Sequence, residues 1–315
     1  MIRLYRKGAQ WISKTDTLRD ETDTSEIIWI DLQYPLAEEI AEIEKRFNVN
    51  IPSRVQQEEI ESSSRYTETD SYILVNSNFL RYLSDSEFES IHVSFVIKEN
   101  LLITYREGHL KSFNECVEKI TASPRHFING HYILIALFET RVDFDADMIE
   151  ILSKHITVLS KELSQQGSPR AEILHQINAF QETAMVIREN VIDKQRVVSS
   201  MLRCSEFSDD EKENFRIVLR DINSLIDHTN FLFERLEYLQ DTFLGLVNID
   251  QNKIIKIFTI VSVVFLPPTL IASIYGMNFR AMPELDWRLG YPLALLLMTA
   301  SSLSILWFFR KKKWL

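Results

Sequence analysis

The chain is 315 residues long, enough for one or two soluble domains beside membrane segments. Its net charge is −10, yet it closes on the basic run Arg310-Lys311-Lys312-Lys313, so the acid sits upstream of that end. An acidic soluble part argues against nucleic acid, which needs a basic footprint, and suits a protein that meets cations.

Only two cysteines are present, Cys116 and Cys204, without a partner motif, which points to a reducing compartment. Met1-Ile-Arg-Leu-Tyr-Arg-Lys7 has no apolar core behind its basic residues, so no signal peptide is expected and the soluble part should be cytoplasmic.

Residues 1 to about 106 read as mixed α/β. Glu26–Leu32 has the β-branched and aromatic content of a strand, stopped by Pro35. Leu36–Phe47 has helical spacing with Glu38, Glu39, Glu42 and Glu44 on its wet side. Ser53–Glu61 reads as a short helix capped by Ser53. Tyr72–Leu80 and Ile91–Ile97 read as strands, and 91–106 as a hairpin turning at Lys98-Glu99-Asn100. Asp85–Glu89 is expected to be an acidic loop.

From His109 the pattern becomes helical. Leu110–Thr121 is one helix, and His131 to about Gln165 is a longer one, broken at Gly167-Ser168-Pro169. Ala171 to about Arg203 is a third. Ser208-Asp-Asp-Glu211 is a capping box. Beyond it, Ser208 to Leu266 contains no proline and one glycine, Gly245, while Phe215, Leu219, Ile222, Leu225, Ile226, Leu232, Leu236, Leu239, Phe243, Leu246 and Ile249 recur every three to four positions. One helix of roughly 65 residues, about 100 Å long, is expected to begin in the cytoplasm and enter the membrane. Its apolar stripe needs a bundle, which copies of the chain would supply.

Ile257 to Tyr275 contains no charged residue and spans about 28 Å as a helix, close to the thickness of a bilayer core. Asn252, Thr259, Ser262, Thr269 and Ser273 share roughly one third of its circumference at ~100° per residue. Such a polar stripe either packs against partner helices or lines a wet path. A second uncharged span runs from Tyr291 to Phe309. Aromatic residues flank it, and the basic end places both termini in the cytoplasm. Three parts are therefore expected: 1–207, an α/β and helical domain; 208–253, a stalk helix; and 254–315, a membrane domain with spans near 254–275 and 290–309. The fold class is α+β.

Gly276-Met277-Asn278 ends the first span. It reads either as an ordinary left-handed helix cap or, in a ring of copies, as an uncharged oxygen collar. Mg²⁺ gives up its waters reluctantly, so such a collar would hold the hydrated ion. Pro267-Pro268 frees backbone carbonyls and should kink the helix, for packing or for function. Asn252 is either a solvated boundary residue or an inner ring. The acidic groups Asp143, Asp145, Asp147 and Glu150; Asp85, Glu87 and Glu89; and Asp209, Asp210 and Glu211 are either cation sites between copies or wet helix faces. No P-loop, nucleophile elbow, dinucleotide fingerprint or zinc spacing occurs, so neither an enzyme nor an ATP-driven pump is expected.

Tyr275-Gly276-Met277-Asn278, together with Asn252–Phe258, Phe265-Leu-Pro-Pro268, Met282-Pro-Glu-Leu285 and the Lys-Lys-Lys313-Trp-Leu315 end, resembles the CorA family of magnesium transporters, above all those of gamma-proteobacteria. Trp29–Leu32 and Leu137–Thr140 also look like family positions. The resemblance implies a funnel-shaped homopentamer in the cell inner membrane. It implies a pore face at Asn252, Ile255, Phe258, Ser262, Leu266, Thr269 and Ser273, with Gly276, Met277 and Asn278 as selectivity filter. It further implies apolar gating at Ile255, Phe258 and Leu266, passage of Co²⁺ and Ni²⁺ as well as Mg²⁺, and a brake of intracellular Mg²⁺ between cytoplasmic domains. It does not place the acidic ligands of that brake; Asp221 and Asp227 are candidates. No other cofactor is implied. One departure stands at the outer loop: Arg280 replaces the acidic residue common in the family, with Glu284 and Asp286 as compensating charges. The alternatives are a transporter of the related zinc-carrying branch and a membrane-anchored cytoplasmic sensor.

Overall fold

The computed structural model describes residues 1–7, 12–15, 26–52, 65–84, 87–165, 170–278, 282–283 and 287–312. Contacts divide the chain into two compact units, and the division falls after Gln240.

The first unit holds a seven-stranded sheet. Its strands are β1 (Ile2–Lys7), β2 (Ile12–Thr15), β3 (Ile27–Gln33), β4 (Tyr66–Glu68), β5 (Ile73–Ser84), β6 (Glu87–Lys98) and β7 (Leu101–Arg106), in the order β2-β1-β3-β7-β6-β5-β4. Only the β3–β7 pair is parallel; β5, β6 and β7 form a meander whose last turn is at Lys98–Leu101. Every residue of β3 is buried because both sheet faces are covered. On one face α1 (Ala37–Phe47) brings Ile43 against Leu4, Ile30, Leu32, Val96 and Ile103. The alternate residues Trp29, Phe79 and Phe95 meet Phe113 of α2 (Lys111–Ala122) and Phe138 of α3 (Gly130–Gln165). Period-two alternation thus assigns each strand residue to one of two cores.

Apart from the helix expected at Ser53–Glu61, the expected strands, hairpin and helices are present. The acidic loop is not as expected: Glu87–Glu89 belong to β6, and Glu89 pairs with Arg81 across the sheet. Asp85, the helix at Ser53–Glu61 and the break at 167–169 lie outside the described residues. Strands β1, β2 and β4 have no counterpart in the sequence reading.

Helices α4 (Ala171–Met201) and α5 (Asp209–Tyr275) complete the helical part. The capping box at the start of α5 is formed: Ser208 N–H donates to Glu211 at 2.8 Å and Glu211 N–H to Ser208 Oγ at 3.4 Å. The apolar stripe of α5 needs no second copy in this unit. Phe215, Ile222, Leu232, Leu236 and Leu239 are each buried to 5% exposure or less within the chain, and Gln195–Asn223 and Gln181–Gln240 hydrogen bonds tie α4 to α5. The expected partner for that stretch is therefore intramolecular. Farther on, Ile249 is 66% exposed.

The second unit contains the rest of α5 and α6 (Gly290–Lys311). Both helices are long and apolar enough to cross a membrane, and their apolar windows are only 6% buried. A core helix of a soluble protein would be covered; these are not. Residues Asp241–Tyr275 stay helical through Pro267 and Pro268.

Candidate functional site

Between Gln251 and Tyr275 the residues of α5 withdrawn from solvent are Ile260, Val264, Pro267, Pro268, Ile271 and Tyr275. On α6 they are Gly290, Ala294, Met298, Ser301, Ser302, Ile305 and Phe309. Both sets recur every three to four residues, so each helix presents one packed stripe. The hydroxyl of Ser302 donates to the carbonyl of Val264 at 3.3 Å, which marks where the stripes meet. That carbonyl is open for a reason. Its ordinary helical partner would be the N–H of residue 268, and Pro268 has none. A hydroxyl from the second span thus satisfies a backbone acceptor that cannot meet water in a membrane.

Asn252, Ile255, Phe258, Ser262, Leu266, Thr269 and Ser273 are all exposed, Phe258 at 69% and Leu266 at 64%. At ~100° per residue this set is centred about 180° from the packed stripe of α5. The face expected to line a pore is the one that the second span leaves uncovered. A groove of about 480 Å³ lies along it, lined by Ser262, Phe265, Leu266, Thr269, Leu270 and Ser273. Thr259 and Thr269 donate their hydroxyl protons back to the carbonyls of Ile255 and Phe265, each at 2.8 Å. Their remaining lone pairs are acceptors. A hydrated cation presents water hydrogens outward, so acceptors are what it needs from a wall.

At the end of α5, Gly276 N–H donates to Ala272 O at 2.9 Å and Met277 N–H to Ile274 O at 3.3 Å. Gly276, Met277 and Asn278 are exposed. Neither Gly276 nor Asn278 has positive φ, so the left-handed cap is not formed. The glycine is not required by its dihedral. A Cβ there would sit 3.1 Å from the Ala272 carbonyl, closer than ordinary contact. Arg280, Glu284 and Asp286 of the outer loop lie outside the described residues.

The acidic candidates of the first unit separate by burial. Asp145 is fully buried, bonded to Arg141 and 3.1 Å from Lys194 Nζ. Burial pushes its carboxyl up, but the two cations outweigh this and hold it below the usual range. Lys194 is also fully buried, and desolvation brings its ammonium down to about 8. This network is structural and leaves no carboxylate for a divalent ion. Glu211, also buried, accepts from Ser208, from Asn129 at 3.1 Å and from His131 at 3.0 Å. Asp210 accepts from Tyr132 at 2.6 Å. Asp143, Asp147, Glu150, Asp209, Asp221 and Asp227 are exposed. Among the described residues no three His, Cys, Asp or Glu side chains gather to hold a metal. Trp29 and Asp31 are core residues: Trp29 Nε1 donates to Thr104, and Asp31 pairs with buried Arg106 at 2.8 Å.

The sequence reading missed the Ser302–Val264 bond, although proline at i+4 announces a free carbonyl. It also missed Lys194, which nothing in its helical context distinguishes from a surface lysine.

A family model described as CorA-like Mg²⁺ transporter protein matches residues 24–311. The magnesium transport protein CorA of Wolinella succinogenes is 40% identical over 314 residues, 98% of each chain. The Escherichia coli protein of the same description is 35% identical, covering 91% of this chain and 92% of that one. Among solved structures, the complete CorA magnesium transporter from Methanocaldococcus jannaschii matches with a TM-score of 0.84 at 22% identity, over 100% of this chain and 99% of that one, and so shares the fold.

Proposed function

The chain belongs to the CorA-like Mg²⁺ transporter family, and from that premise we propose that it admits Mg²⁺ passively through a pore built by five copies around the uncovered face of α5. The observation that carries this reading is the opposition of the two faces of α5. One is packed and bonded to α6, and the other, Asn252 to Ser273, is polar or apolar by turns and wholly uncovered. Five such faces around an axis would make a wall of hydroxyl and amide oxygens interrupted by rings of Ile255, Phe258 and Leu266. Hydrophobic rings close a pore by dewetting, which suits a gate.

In this reading Gly276, Met277 and Asn278 form the outer filter. The chain there has left the helix without entering a left-handed cap, and its carbonyls and the Asn278 amide are neutral oxygens. Such a collar holds Mg²⁺ through its waters and admits Co²⁺ and Ni²⁺ by the same geometry. The chain lies in the cell inner membrane with both termini in the cytoplasm, as its basic end requires. The membrane potential drives entry: one charge through 100 mV is worth ~2.3 kcal/mol, and a divalent ion gains about twice that. Intracellular Mg²⁺ closes the pore by bridging exposed carboxylates of neighbouring copies, Asp221 and Asp227 among the candidates. Each lies on the same continuous helix as the pore face.

The test is expression in a bacterium that depends on added Mg²⁺, with uptake of Mg²⁺, Co²⁺, Ni²⁺ and Zn²⁺ measured in parallel. Mg²⁺ uptake that collapses with the membrane potential is expected. Membrane-inserted protein with no Mg²⁺ uptake overturns the proposal, and Zn²⁺ uptake alone moves the chain to the zinc-carrying branch.

A further inference from the structure

The first unit contains a cavity of about 290 Å³ that the transport reading does not use. It is formed where the end of β5 (Leu80, Arg81, Tyr82) meets the start of α2 (His109 to Ser112) and the middle of α3 (Arg141, Phe144, Asp147, Met148, Ile151). Its body is apolar and aromatic; Lys111 and Ser112 in the first turn of α2, His109 before it, Arg81 of β5 and Arg141 and Asp147 of α3 are its polar lining.

That turn lacks what a helix start ordinarily has. The cap position is Leu110, no side chain caps it, and no acidic residue occupies the first turn. A helix N-terminus carries unsatisfied N–H groups and a partial positive charge, which an acidic side chain usually meets. Here Lys111 occupies the first position instead and is exposed. Ser112, in the second position, is 2% exposed, lines the cavity, and its hydroxyl finds no partner among the described residues. A buried hydroxyl without a partner costs about 1–3 kcal/mol unless something else bonds to it. Across the cavity, Arg81 Nε likewise has no partner among the described residues, although its terminal nitrogen reaches Glu89. The Arg141 guanidinium bonds to Leu80 O at 2.6 Å and to Asp145. Among the described residues Asp147 is the one carboxylate on the lining, and it is exposed.

We propose that this cavity is a binding site for a small organic anion: a carboxylate or phosphate head on the α2 N-terminus, Ser112 and Lys111, and an apolar or aromatic body against Tyr82, Phe144 and Met148. The helix start supplies fixed donors for the head, as helix N-termini do for anions. The volume sets the size: at ~30 Å³ per water it holds roughly ten waters, hence a ligand of about ten non-hydrogen atoms. The mixture of an apolar wall and a few convergent donors is what small-molecule sites are made of. The site would give the cytoplasmic unit a ligand other than a metal ion.

The experiment uses the full chain in lipid nanodiscs and three probes of matched size: benzoate, phenyl phosphate and the neutral benzamide, followed by ligand-observed NMR and calorimetry. Sub-millimolar binding of at least one anion, with benzamide at least tenfold weaker, is expected; which anion binds distinguishes a carboxylate from a phosphate ligand. Ser112→Ala and Lys111→Gln should each weaken that anion about five- to tenfold, and Met148→Trp should abolish binding by filling the cavity. Ile151→Trp, at the exposed rim, blocks the same mouth should Met148→Trp fail to fold. No binding of either anion at millimolar concentration, benzamide binding as well as benzoate, or unchanged affinity when the cavity is filled each overturns the proposal.

Discussion

The two units handle polar groups in opposite ways. In the first, charge is taken inside and matched: Asp145 lies between Arg141 and Lys194, and Asp31 against Arg106, all nearly without exposure. In the second, the hydroxyls of Thr259, Ser262, Thr269 and Ser273 on α5 are uncharged and left outside, on the face opposite the packing. A buried charge must be paired where it lies, so the first pattern is complete within one chain. An uncovered polar stripe on an otherwise apolar helix is incomplete within one chain. It has to be met by water, an ion or another copy. The difference separates residues that hold the fold from residues that await a partner.

Removing a group from each pattern tests that separation. The largest effect is expected at Asn278. Asn278→Ala deletes a neutral oxygen donor set from the proposed filter without disturbing any packed residue, since Asn278 is exposed. Mg²⁺ uptake should fall to background while the chain remains inserted and assembled. Normal flux in this variant would show that the filter lies elsewhere.

Asp145→Ala should do the reverse, sparing the pore and weakening the fold. It leaves the Arg141 and Lys194 cations buried without their carboxylate, which costs about 3–5 kcal/mol. A lowered melting temperature of the first unit and reduced abundance are the measurements. The pH dependence has a definite sign. The carboxyl of Asp145 is lower in the folded than in the unfolded chain, so its stabilisation is complete above about pH 4 and is lost on further acidification. Lys194 works in the other window. Its folded value of about 8 lies below the ordinary 10.5, so the unfolded chain binds more protons between them, and this group favours folding increasingly as pH rises through that range. An acid limb unchanged in Asp145→Asn would mean that other carboxylates set it.

The same contrast explains what was legible in the sequence. Periodicity located β3, β5, β6, β7 and the long helices of the first unit because each buries a regular set of apolar residues, whereas α6 was legible as an uncharged apolar run long enough to span a bilayer. Periodicity also located the uncovered face of α5, since a polar stripe in an apolar span needs no tertiary knowledge to be seen. What stayed hidden depends on partners distant in sequence. Asp145 reads as one more acid in a run of four until Lys194 is brought beside it from 49 positions away. Glu211 reads as a capping residue, which it is, but not as the acceptor for His131 and Asn129. The stripe at Phe215–Leu239 was legible as needing cover, but not as covered by its own chain.

The smallest effect lies at the seam of the second unit, where the two patterns meet. Ser302 and Ser301 are neighbours on α6 and both are half-buried, but their bonds differ. Ser301 donates to Met298 O of its own helix at 2.8 Å, whereas Ser302 donates across to Val264 O. Ser301→Ala should be nearly neutral. Ser302→Ala should cost about 0.5–1.5 kcal/mol in the melting of the assembled protein, in the range of hydrogen bonds between membrane helices. The cause is specific: the acceptor is open because Pro268 has no N–H to give it. Pro268→Ala restores that donor within α5, so Ser302→Ala should lose most of its effect in that background. A full-sized effect of Ser302→Ala in Pro268→Ala would mean that the serine acts by its volume, and that the freed carbonyl is not what joins the two spans.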